Sequence, residues 1–355
     1  MALQYFTATN FRCLTSATLE ADSQYNLIYG QNASGKTSIL EGIAYLGRGK
    51  SIRGAPPQQL ITHGQSEFLL LGKVKTAARV VTVGVRNGKD GLEVKIDGDR
   101  KTSASALVEI LPLQVIDPEV HNLVAGGPEH RRRYLDWIAF HVEQAYPECW
   151  RQFRRALKQR NAALRDGVTK ASIAAWDREF LESAAVVDQT RRRVLSIARQ
   201  ALEMTGAALL RSEVAFEYRQ GWAAEQTLEE ALSTGWEGDC LAGTTRSGPQ
   251  RAELRLIVDE RQAKRLVSRG QQKLLACTMI LAATEVVQTA LERPLLLLLD
   301  DPAAELDREA LGAFLKCVFG LGSQIIATAL DPETLRFPEQ PAVFHVEHGE
   351  LRKTG

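Results

Sequence analysis

The sequence feature that most restricts the fold is the stretch GQNASGKT at 30–37, which fits the pattern G-x-x-x-x-G-K-[S/T]. A short β-prone run at 25–29 precedes it, and apolar residues at helical spacing follow it at 39–46. In such a strand–loop–helix unit, backbone N–H groups surround a phosphate, the lysine reaches the β- and γ-phosphates, and the last hydroxyl ligates Mg²⁺. We therefore predict an α/β domain that binds a nucleoside triphosphate. The predicted binding residues of this phosphate loop are Gly30, Gln31, Asn32, Ala33, Ser34, Gly35, Lys36, Thr37 and Ser38.

A second stretch, PLLLLLDD at 294–301, ends in two carboxylates. Five consecutive leucines indicate a central strand buried on both faces, and α/β proteins place their sites at the carboxyl ends of such strands. Asp300 would share the Mg²⁺ with Thr37, and Asp301 would orient or deprotonate the attacking water. Alone, the stretch is equally typical of a buried strand with a polar exit turn. The phosphate loop favours the metal site, because one carboxylate here completes it.

A third stretch, LVSRGQQKLLACTMILA at 266–282, places a polar segment containing glycine before an apolar helix pattern. Ser-x-Gly-Gln about 30 residues before an Asp-Asp strand matches the ATP-binding-cassette (ABC) ATPases, in which this signature element faces the γ-phosphate held by a partner subunit. Ser268, Gly270 and Gln271 would then contact ATP in an ATP-dependent head-to-tail homodimer. The alternative, an ordinary N-cap, would explain Ser268 but not the glycine and glutamines that follow.

Composition restricts the class of protein. The chain has 355 residues, 45% of them hydrophobic and 25% charged, which is ordinary for a globular protein of two domains or one domain with an insertion. Its longest apolar run, at 295–299, is strand-sized, and its start lacks the features of a signal peptide. Five scattered cysteines fit a reducing compartment. We therefore expect a cytoplasmic protein without a membrane partner.

Local patterns indicate how the chain is organised. Short β-rich runs with turn signals at 66–100 predict an antiparallel meander, and helical periodicity dominates from 128 to 235. All five tryptophans lie between positions 137 and 236. An α/β pattern returns after 245. The predicted fold is an α/β ABC-type ATPase head, with a mixed sheet and a flanking antiparallel β-subdomain, interrupted by a mostly helical lobe. The predicted boundaries are 1–125 for the N-terminal ATPase part, 126–240 for the helical insertion and 241–355 for the C-terminal ATPase part.

Together, the motifs resemble those of the bacterial RecF family, DNA-repair ATPases related to the SMC and Rad50 heads. The resemblance covers almost the whole chain and includes NFRCL, LPLQVIDPE, GGPEHRRRYLDW, SGPQRAEL, SRGQQKLL and LLLLLDDPAAELD in order. Departures include Cys13 where the family commonly has asparagine and Gln250 where it has histidine. The Gly-Pro-x-x-Arg-Arg-Arg-Tyr-Leu-Asp block is not expected in transporters.

The resemblance implies several residue roles. Gln114 would lie near Mg²⁺ and the attacking water, and Arg12 would approach the nucleotide phosphates. Asp307 would couple the two sites of the dimer, and Thr328 would be the polar group of the switch strand. Each residue also has a simpler interpretation: Asp307 as a helix N-cap, Thr328 as an ordinary strand residue and Arg12 as a surface arginine.

The resemblance also implies a function. An ATP-driven dimer would clamp duplex or gapped DNA and, with RecO- and RecR-type mediators, promote RecA loading, while slow hydrolysis resets it. The alternatives are the ATPase head of another SMC/Rad50-like complex, a transporter ATPase subunit, a small-molecule kinase and an ATP-binding scaffold without hydrolysis.

The net charge of +1 requires any DNA contact to come from a local patch. Residues 130–200 hold 15 Arg or Lys against 8 Asp or Glu, so we predict backbone-directed, salt-sensitive DNA binding there. The alternatives are a solvated helix face with ion pairs and, for the first cluster, packing against the ATPase lobe. The candidate DNA-binding residues are Arg131, Arg132, Arg133, Arg154, Arg155, Arg191, Arg192 and Arg193.

Overall fold

The computed structural model describes residues 1–101, 104–167, 169–263, 268–304 and 306–354. The strands are β1 (Ala2–Phe11), β2 (Leu14–Glu20), β3 (Tyr25–Tyr29), β4 (Glu67–Lys75), β5 (Val80–Gly88), β6 (Gly91–Ile96), β7 (Asp99–Lys101), β8 (Leu113–Ile116), β9 (Val214–Arg219), β10 (Glu253–Val258), β11 (Arg261–Gln262), β12 (Leu296–Leu299), β13 (Gln324–Ala329), β14 (Ala342–Glu347) and β15 (Glu350–Lys353). The helices are α1 (Lys36–Arg48), α2 (Ser105–Ile110), α3 (Asn122–Ala125), α4 (Pro128–Val142), α5 (Tyr146–Arg165), α6 (Lys170–Leu210), α7 (Leu228–Thr234), α8 (Trp236–Ala242), α9 (Arg269–Leu291) and α10 (Arg308–Gly320).

The chain forms two compact units, Met1–Val120 with Glu292–Gly355 and His121–Leu291. The first unit contains a mixed sheet in the order β15-β14-β3-β13-β12-β8, in which only β15 is antiparallel to its neighbour. All four residues of β12 are buried, as the leucine run predicts. Because β3, β12 and β8 run parallel, the loops that follow them meet at one edge of the sheet.

A second, antiparallel sheet in the first unit has the order β2-β1-β4-β5-β6-β7. Its last four strands form the predicted meander, which the structure confirms. Apolar side chains of α1, among them Ile39, Leu40 and Ile43, share one core with residues of both sheets. The helix that follows the phosphate loop is therefore held from two sides by apolar packing, which fixes the position of its N-terminus.

The second unit is mostly helical, and the long helix α6 lies within 128–235, where helical periodicity dominates the sequence. The predicted boundary at 241 does not coincide with these units. Strand β10 pairs with β9, a strand that the sequence analysis missed, and α9 packs against α3, α4 and α6. Residues 241–291 therefore belong to the same unit as the helices before them.

Helix α9 corrects the expectation that no segment has the length of a membrane span. It has 23 residues, and its most apolar window has a mean hydropathy of 1.7, so by length and composition it passes that test. Of that window, 67% is buried inside the protein. The burial identifies α9 as the central core helix of the second unit.

Candidate nucleotide-binding site

The phosphate loop joins β3 to α1 and brings the lysine back over the loop. Lys36 is 7% exposed, and its Nζ donates hydrogen bonds to the carbonyl oxygens of Gly30 and Gln31 at 2.6 and 2.9 Å. Gly35 occupies the N-cap of α1 with a φ of 119°, a region that L side chains rarely adopt. Because glycine has no side chain, the first N–H groups of α1 are left for a ligand.

A cavity of about 280 Å³ lies over this loop. It brings together the predicted loop residues and both predicted carboxylates, at the sheet edge where β3 and β12 end. The lining residues are Cys13, Asn32, Ala33, Gly35, Lys36, Thr37, Ser38, Arg53, Pro118, Asp300 and Asp301.

Asp300 is the centre of the polar contacts below the cavity. Thr37 Oγ1 lies 3.0 and 2.9 Å from the two carboxylate oxygens of Asp300, which is 4% exposed. Thr328 Oγ1 donates to Asp300 Oδ1 and accepts from the N–H of Asp301, each at 2.9 Å. The buried hydroxyl on β13 thus connects the two consecutive aspartates, a role that the resemblance suggested only as a polar switch-strand group.

These donors fit a nucleotide phosphate with Mg²⁺. A threonine hydroxyl beside a carboxylate offers the hard oxygen ligands that Mg²⁺ prefers, and Mg²⁺ completes its shell with phosphate oxygens and water. Within the described ranges, no three His, Cys, Asp or Glu side chains gather to hold a metal by themselves. Ser34 Oγ is buried and, in the same ranges, has no hydrogen-bond partner. A bound phosphate would satisfy that hydroxyl.

Two charged residues at this edge were missed by the sequence analysis. Asp117 follows β8, and burial raises its pKa, as does the nearby charge of Asp300, while Arg53 opposes the shift. Arg53 Nη2 lies 3.6 Å from Asp300 Oδ2. Asp117 belongs to LPLQVIDPE, one of the motifs quoted for the resemblance, and that motif was the available signal for it. Arg53 lies in the loop after α1.

Gln114 and Arg12 are not among the residues that line the cavity, and the roles that the resemblance implied for them stay predictions. Gln114 is 8% exposed, and its Oε1 accepts a hydrogen bond from Arg48 Nη2 at 3.3 Å. Burial lowers the pKa of Arg48 to about 10, against the opposing effect of Asp117. Arg12 holds Glu41 with two hydrogen bonds of 2.8 and 3.1 Å. Both predicted side chains are already occupied by long-range partners.

The remaining carboxylates differ in surroundings. Asp301 lines the cavity with a φ of 46°, in the left-handed region. Asp307 is exposed at the N-cap of α10 and accepts a hydrogen bond from the N–H of Ala310 at 2.8 Å. The simpler interpretation of Asp307 as a helix cap therefore accounts for its contacts within this chain.

The signature element begins α9 with a capping box. The N–H of Gln271 donates to Ser268 Oγ at 3.3 Å, and the N–H of Ser268 donates to Gln271 Oε1 at 3.0 Å. The predicted stretch begins at Leu266 and Val267, which lie outside the described residues. Gln271 therefore has a capping role that the sequence analysis did not recognise, and only Gly270 is left without a local explanation.

The arginine clusters separate into buried and exposed members. Arg131 is 4% exposed and bound to Glu253, and Arg191 is 2% exposed and bound to Asp136. These two predicted DNA contacts are corrected, because buried and paired guanidinium groups cannot reach a phosphate backbone. Ion pairs or carbonyl contacts also hold Arg132, Arg192 and Arg193.

Helix α5 carries a group of exposed cations in the second unit. From 149 to 165 the helix contains six basic residues and no acidic residue. Four of them border a groove of about 540 Å³, and they include the predicted contacts Arg154 and Arg155. For Arg154, Arg155 and Lys158, no ion pair exists within the part of the chain that the structure describes. The groove residues are Arg154, Arg155, Leu157, Lys158, Asn161 and Arg165.

Comparison with solved structures places this geometry in a known fold. A structure of the recombination mediator protein RecF with ATP, from the RecFOR pathway, matches with a TM-score of 0.91 at 22% identity, covering 100% of this chain and 98% of that chain. An Smc head bound to the C-winged helix domain of ScpA matches with a TM-score of 0.60 at 14% identity, covering 100% and 98%. The fold is that of an ABC-type ATPase head with a helical lobe.

Sequence relatives are more informative about the family. The chain is 38% identical to the DNA replication and repair protein RecF of Pseudomonas fluorescens, covering 100% of this chain and 99% of the relative. It is 36% identical to the RecF of Shewanella pealeana, covering 99% of each. Residues 2–352 match the family described as the RecF/RecN/SMC N terminal domain. With these full-length matches, the chain belongs to the RecF family.

Proposed function

We propose that this chain is an ATP-operated DNA-repair protein of the RecF type, in which ATP joins two copies head to tail. The observation that carries the proposal is the arrangement of Lys36, Thr37 and Asp300 around one cavity. Lys36 Nζ donates hydrogen bonds to two backbone carbonyls. Phosphate oxygens would replace these carbonyls as acceptors when a nucleotide binds. Thr37 and Asp300 would hold Mg²⁺, which supplies charge neutralisation on the phosphates when bound.

Hydrolysis is assigned to the two neighbouring aspartates. Asp301 lines the cavity and would orient the attacking water, while Asp300 stays on the metal side. The Thr328 hydroxyl is hydrogen-bonded to both aspartates, so a displacement of one aspartate would also displace the other. We expect weak ATPase activity, because the nucleotide would act as a switch between closed and open dimers.

The second copy would close the site with Ser268 and Gly270. Ser268 Oγ accepts a hydrogen bond from the N–H of Gln271, and its own hydroxyl proton has no acceptor among the described residues, so it can be donated to a phosphate. A Cβ on Gly270 would come no closer than 3.9 Å to any described atom, at Ser268 Oγ. No packing constraint among the described residues demands glycine here. Contact with a partner's nucleotide supplies a reason for it.

Mixing two inactive variants tests the head-to-tail arrangement. Lys36→Ala removes the phosphate contact and Ser268→Arg blocks the signature element, so each alone stays monomeric with ATP in gel filtration. One mixed dimer would combine the loop of the Ser268→Arg copy with the signature element of the Lys36→Ala copy, which regenerates one intact site. We expect partial dimerisation of the mixture. A wild type that stays monomeric with ATP, or a mixture without rescue, contradicts the proposal.

DNA would be the ligand of the dimer, since the relative from Pseudomonas fluorescens is a DNA replication and repair protein. We assign the contact to the α5 groove, where Arg154, Arg155, Lys158 and Arg165 present four cations to solvent. Backbone contacts of this kind bind duplex or gapped DNA with little sequence preference. Each lost phosphate contact should make the negative slope of log K against log salt concentration shallower by about 0.9.

Arg155→Gln and Arg151→Gln form a matched pair on the same helix. Arg151 is also exposed but is paired with Glu148 at 2.7 Å. We expect Arg155→Gln to weaken DNA binding and flatten its salt dependence, while Arg151→Gln behaves as wild type in fluorescence anisotropy. Unchanged DNA binding and salt dependence in Arg155→Gln would remove the α5 groove as the DNA surface and leave the nucleotide site intact.

The cellular role would be recombinational repair in the cytoplasm. The chain would act with RecO- and RecR-type mediators to promote RecA loading at gaps in DNA. Family membership favours this role over the transporter alternative. Co-purification with RecR- and RecO-type proteins, or with a membrane permease instead, separates the two.

A further inference from the structure

The turn between β14 and β15 lies against the phosphate loop, although it belongs to none of the sequence motifs. The N–H of Gly349 donates a hydrogen bond to the carbonyl oxygen of Ser34 at 2.8 Å. Gly349 is buried and has a φ of 81°. The two segments are distant in sequence, and they meet because β14 pairs with β3 and ends beside the start of the loop. A backbone group outside the phosphate loop therefore holds one of its carbonyls.

The approach of the two backbones is close enough to require glycine on both sides. A Cβ on Gly349 would lie 2.5 Å from the carbonyl oxygen of Cys13, in the turn between β1 and β2. A Cβ on Gly30 would lie 2.3 Å from the carbonyl oxygen of Val346. Both neighbours are backbone atoms, which cannot turn aside as the end of a flexible side chain can. The phosphate loop is thus packed against the β14–β15 hairpin at Gly30 and again at Ser34.

The hydrogen bond from Gly349 fixes a peptide group that a phosphate would use. In a trans peptide the carbonyl and the N–H of the next residue point in opposite directions. Since the carbonyl of Ser34 is turned to the hairpin, the N–H of Gly35 is turned away from it, and Gly35 lines the cavity. That N–H has no acceptor among the described residues. It is one of the groups with which a phosphate loop surrounds a β-phosphate.

The side chain of Ser34 is a second, independent sign of a ligand. The residue is 8% exposed, and its Oγ is buried with no hydrogen-bond partner within the described ranges. A buried hydroxyl without a partner is costly, and a phosphate oxygen would supply the missing partner. The hairpin therefore satisfies the carbonyl of Ser34 and leaves its hydroxyl for a ligand.

We propose that Gly349 is a positioning residue, which orients the peptide between Ser34 and Gly35 so that its N–H faces the β-phosphate of a bound nucleotide. This inference rests on the proposed nucleotide site and adds a segment that does not itself contact the nucleotide. A displaced turn would leave this peptide free to rotate. Nucleotide binding would then include the entropic cost of ordering it.

A second hairpin of the same unit offers a matched control. Gly98, in the two-residue turn between β6 and β7, has a φ of 89°, and Asp97 before it has a φ of 51°. The corresponding values are 81° for Gly349 and 49° for His348. A Cβ on Gly98 would meet no atom within 4 Å. Alanine therefore strains both turns alike, but only at Gly349 does it also disturb the contact with the phosphate loop.

The experiment measures the Kd of a fluorescent ADP analogue in the presence of Mg²⁺. ADP carries the β-phosphate but lacks the γ-phosphate that would bring in a second copy. For Gly349→Ala we expect Kd to rise about tenfold or more, the factor for one lost hydrogen bond to a charged group. Gly98→Ala should bind as wild type and lower only the midpoint of urea unfolding. An unchanged Kd in Gly349→Ala, or an equal rise in Gly98→Ala, overturns the positioning role.

Asparagine separates backbone strain from the close approach. It tolerates a left-handed backbone, so Gly98→Asn should recover most of the stability that Gly98→Ala loses. Gly349→Asn should recover little affinity, because its Cβ still meets the carbonyl oxygen of Cys13. Full recovery of affinity in Gly349→Asn would assign the effect to strain alone and contradict the proposal.

Hydrogen–deuterium exchange of the wild type tests the same contact without any variant, and so applies even where a Gly349 variant fails to fold. Mg-ADP should slow exchange in the peptide that contains Gly349, because a bound phosphate fixes the carbonyl that accepts its N–H. The peptide that contains Gly98 should exchange at the same rate with and without nucleotide. Equal exchange at Gly349 in both states overturns the proposal. Absence of Mg-ADP binding by wild type would instead refute the proposed nucleotide site.

Discussion

Helices α1 and α9 begin in opposite ways. At α1 the N-cap is Gly35, and neighbouring side chains leave the helix end facing a cavity. At α9 the serine and glutamine of the signature element cap each other's backbone. At an uncapped helix N-terminus the first N–H groups have no side-chain acceptor and can bind a ligand. At a capped N-terminus a side chain of the same segment accepts these hydrogen bonds and stabilises the helix without a ligand. The difference indicates that the N-terminus of α1 needs a bound phosphate to satisfy its N–H groups, whereas the N-terminus of α9 is already stable before a phosphate binds.

The largest expected effect comes from placing a side chain at the uncapped N-terminus of α1. Gly35→Ala forces a side chain into a φ of 119° and places its Cβ 3.2 Å from Leu14 Cδ2. Backbone strain of this kind costs about 1–3 kcal/mol. We expect a lower midpoint of urea unfolding and loss of nucleotide binding in fluorescence titration. Retained affinity for ATP would mean that the loop can relax, and the proposed contrast between the helices would fail.

The matched change at the other helix should have the opposite effect on stability. Gly270→Ala meets no described atom closer than 3.9 Å and replaces a poor helix former, a gain of about 0.5 kcal/mol. We expect a slightly more stable monomer that binds ATP normally but dimerises about tenfold more weakly, measured by analytical ultracentrifugation. Normal dimerisation would show that the nucleotide of the second copy does not need this backbone.

The capping box should contribute less. Ser268→Ala and Gln271→Ala each remove one of the two reciprocal hydrogen bonds, at a cost of about 1 kcal/mol or less. Ser268→Ala should also impair ATP-dependent dimerisation, while Gln271→Ala should change stability alone. Denaturation and gel filtration on the same samples separate these outcomes. Equal dimerisation defects would assign the phosphate contact to the cap as a whole.

The smallest effect concerns Asp117, at the edge of the sheet that faces the open end of α1. The pKa of Asp117 is raised in the folded state, so its contribution to stability is present in acid and is lost as pH rises through the folded pKa. We expect Asp117→Asn to be more stable than wild type at neutral pH, with a difference that shrinks as pH falls through the raised folded pKa and stops changing below about 4, the ordinary pKa of the unfolded state. Thermal unfolding across pH checks the sign.

The phosphate loop could be predicted because its chemistry lies in eight consecutive residues. The leucine strand with its terminal aspartates was equally readable, since a buried parallel strand has a local sequence pattern. Arg12 and Gln114 could not be placed in this way. Their partners, Glu41 and Arg48, lie 29 and 66 positions away, and only the packed fold brings them together.

The arginine clusters show the same limit more clearly. Arg131 and Arg132–Arg133 are adjacent in sequence, but the first is buried and the last is exposed. Adjacent residues on a helix point in directions about 100° apart, so a run of three samples both faces. A triplet alone therefore does not identify a binding surface. The absence of carboxylates over 149–165 of α5 was the better signal.

The enclosed position of α9 has a consequence for biosynthesis. A 23-residue segment whose most apolar window has a mean hydropathy of 1.7 would attract chaperones or the membrane-targeting machinery if it emerged uncovered from the ribosome. Its packing partners α4 and α6 are encoded upstream, and chains fold from the N-terminal side during synthesis. The order of the helices along the chain therefore makes the packing partners of α9 available before α9 itself is synthesised. A circular permutant that begins at α9 should express poorly even though its final contacts are the same.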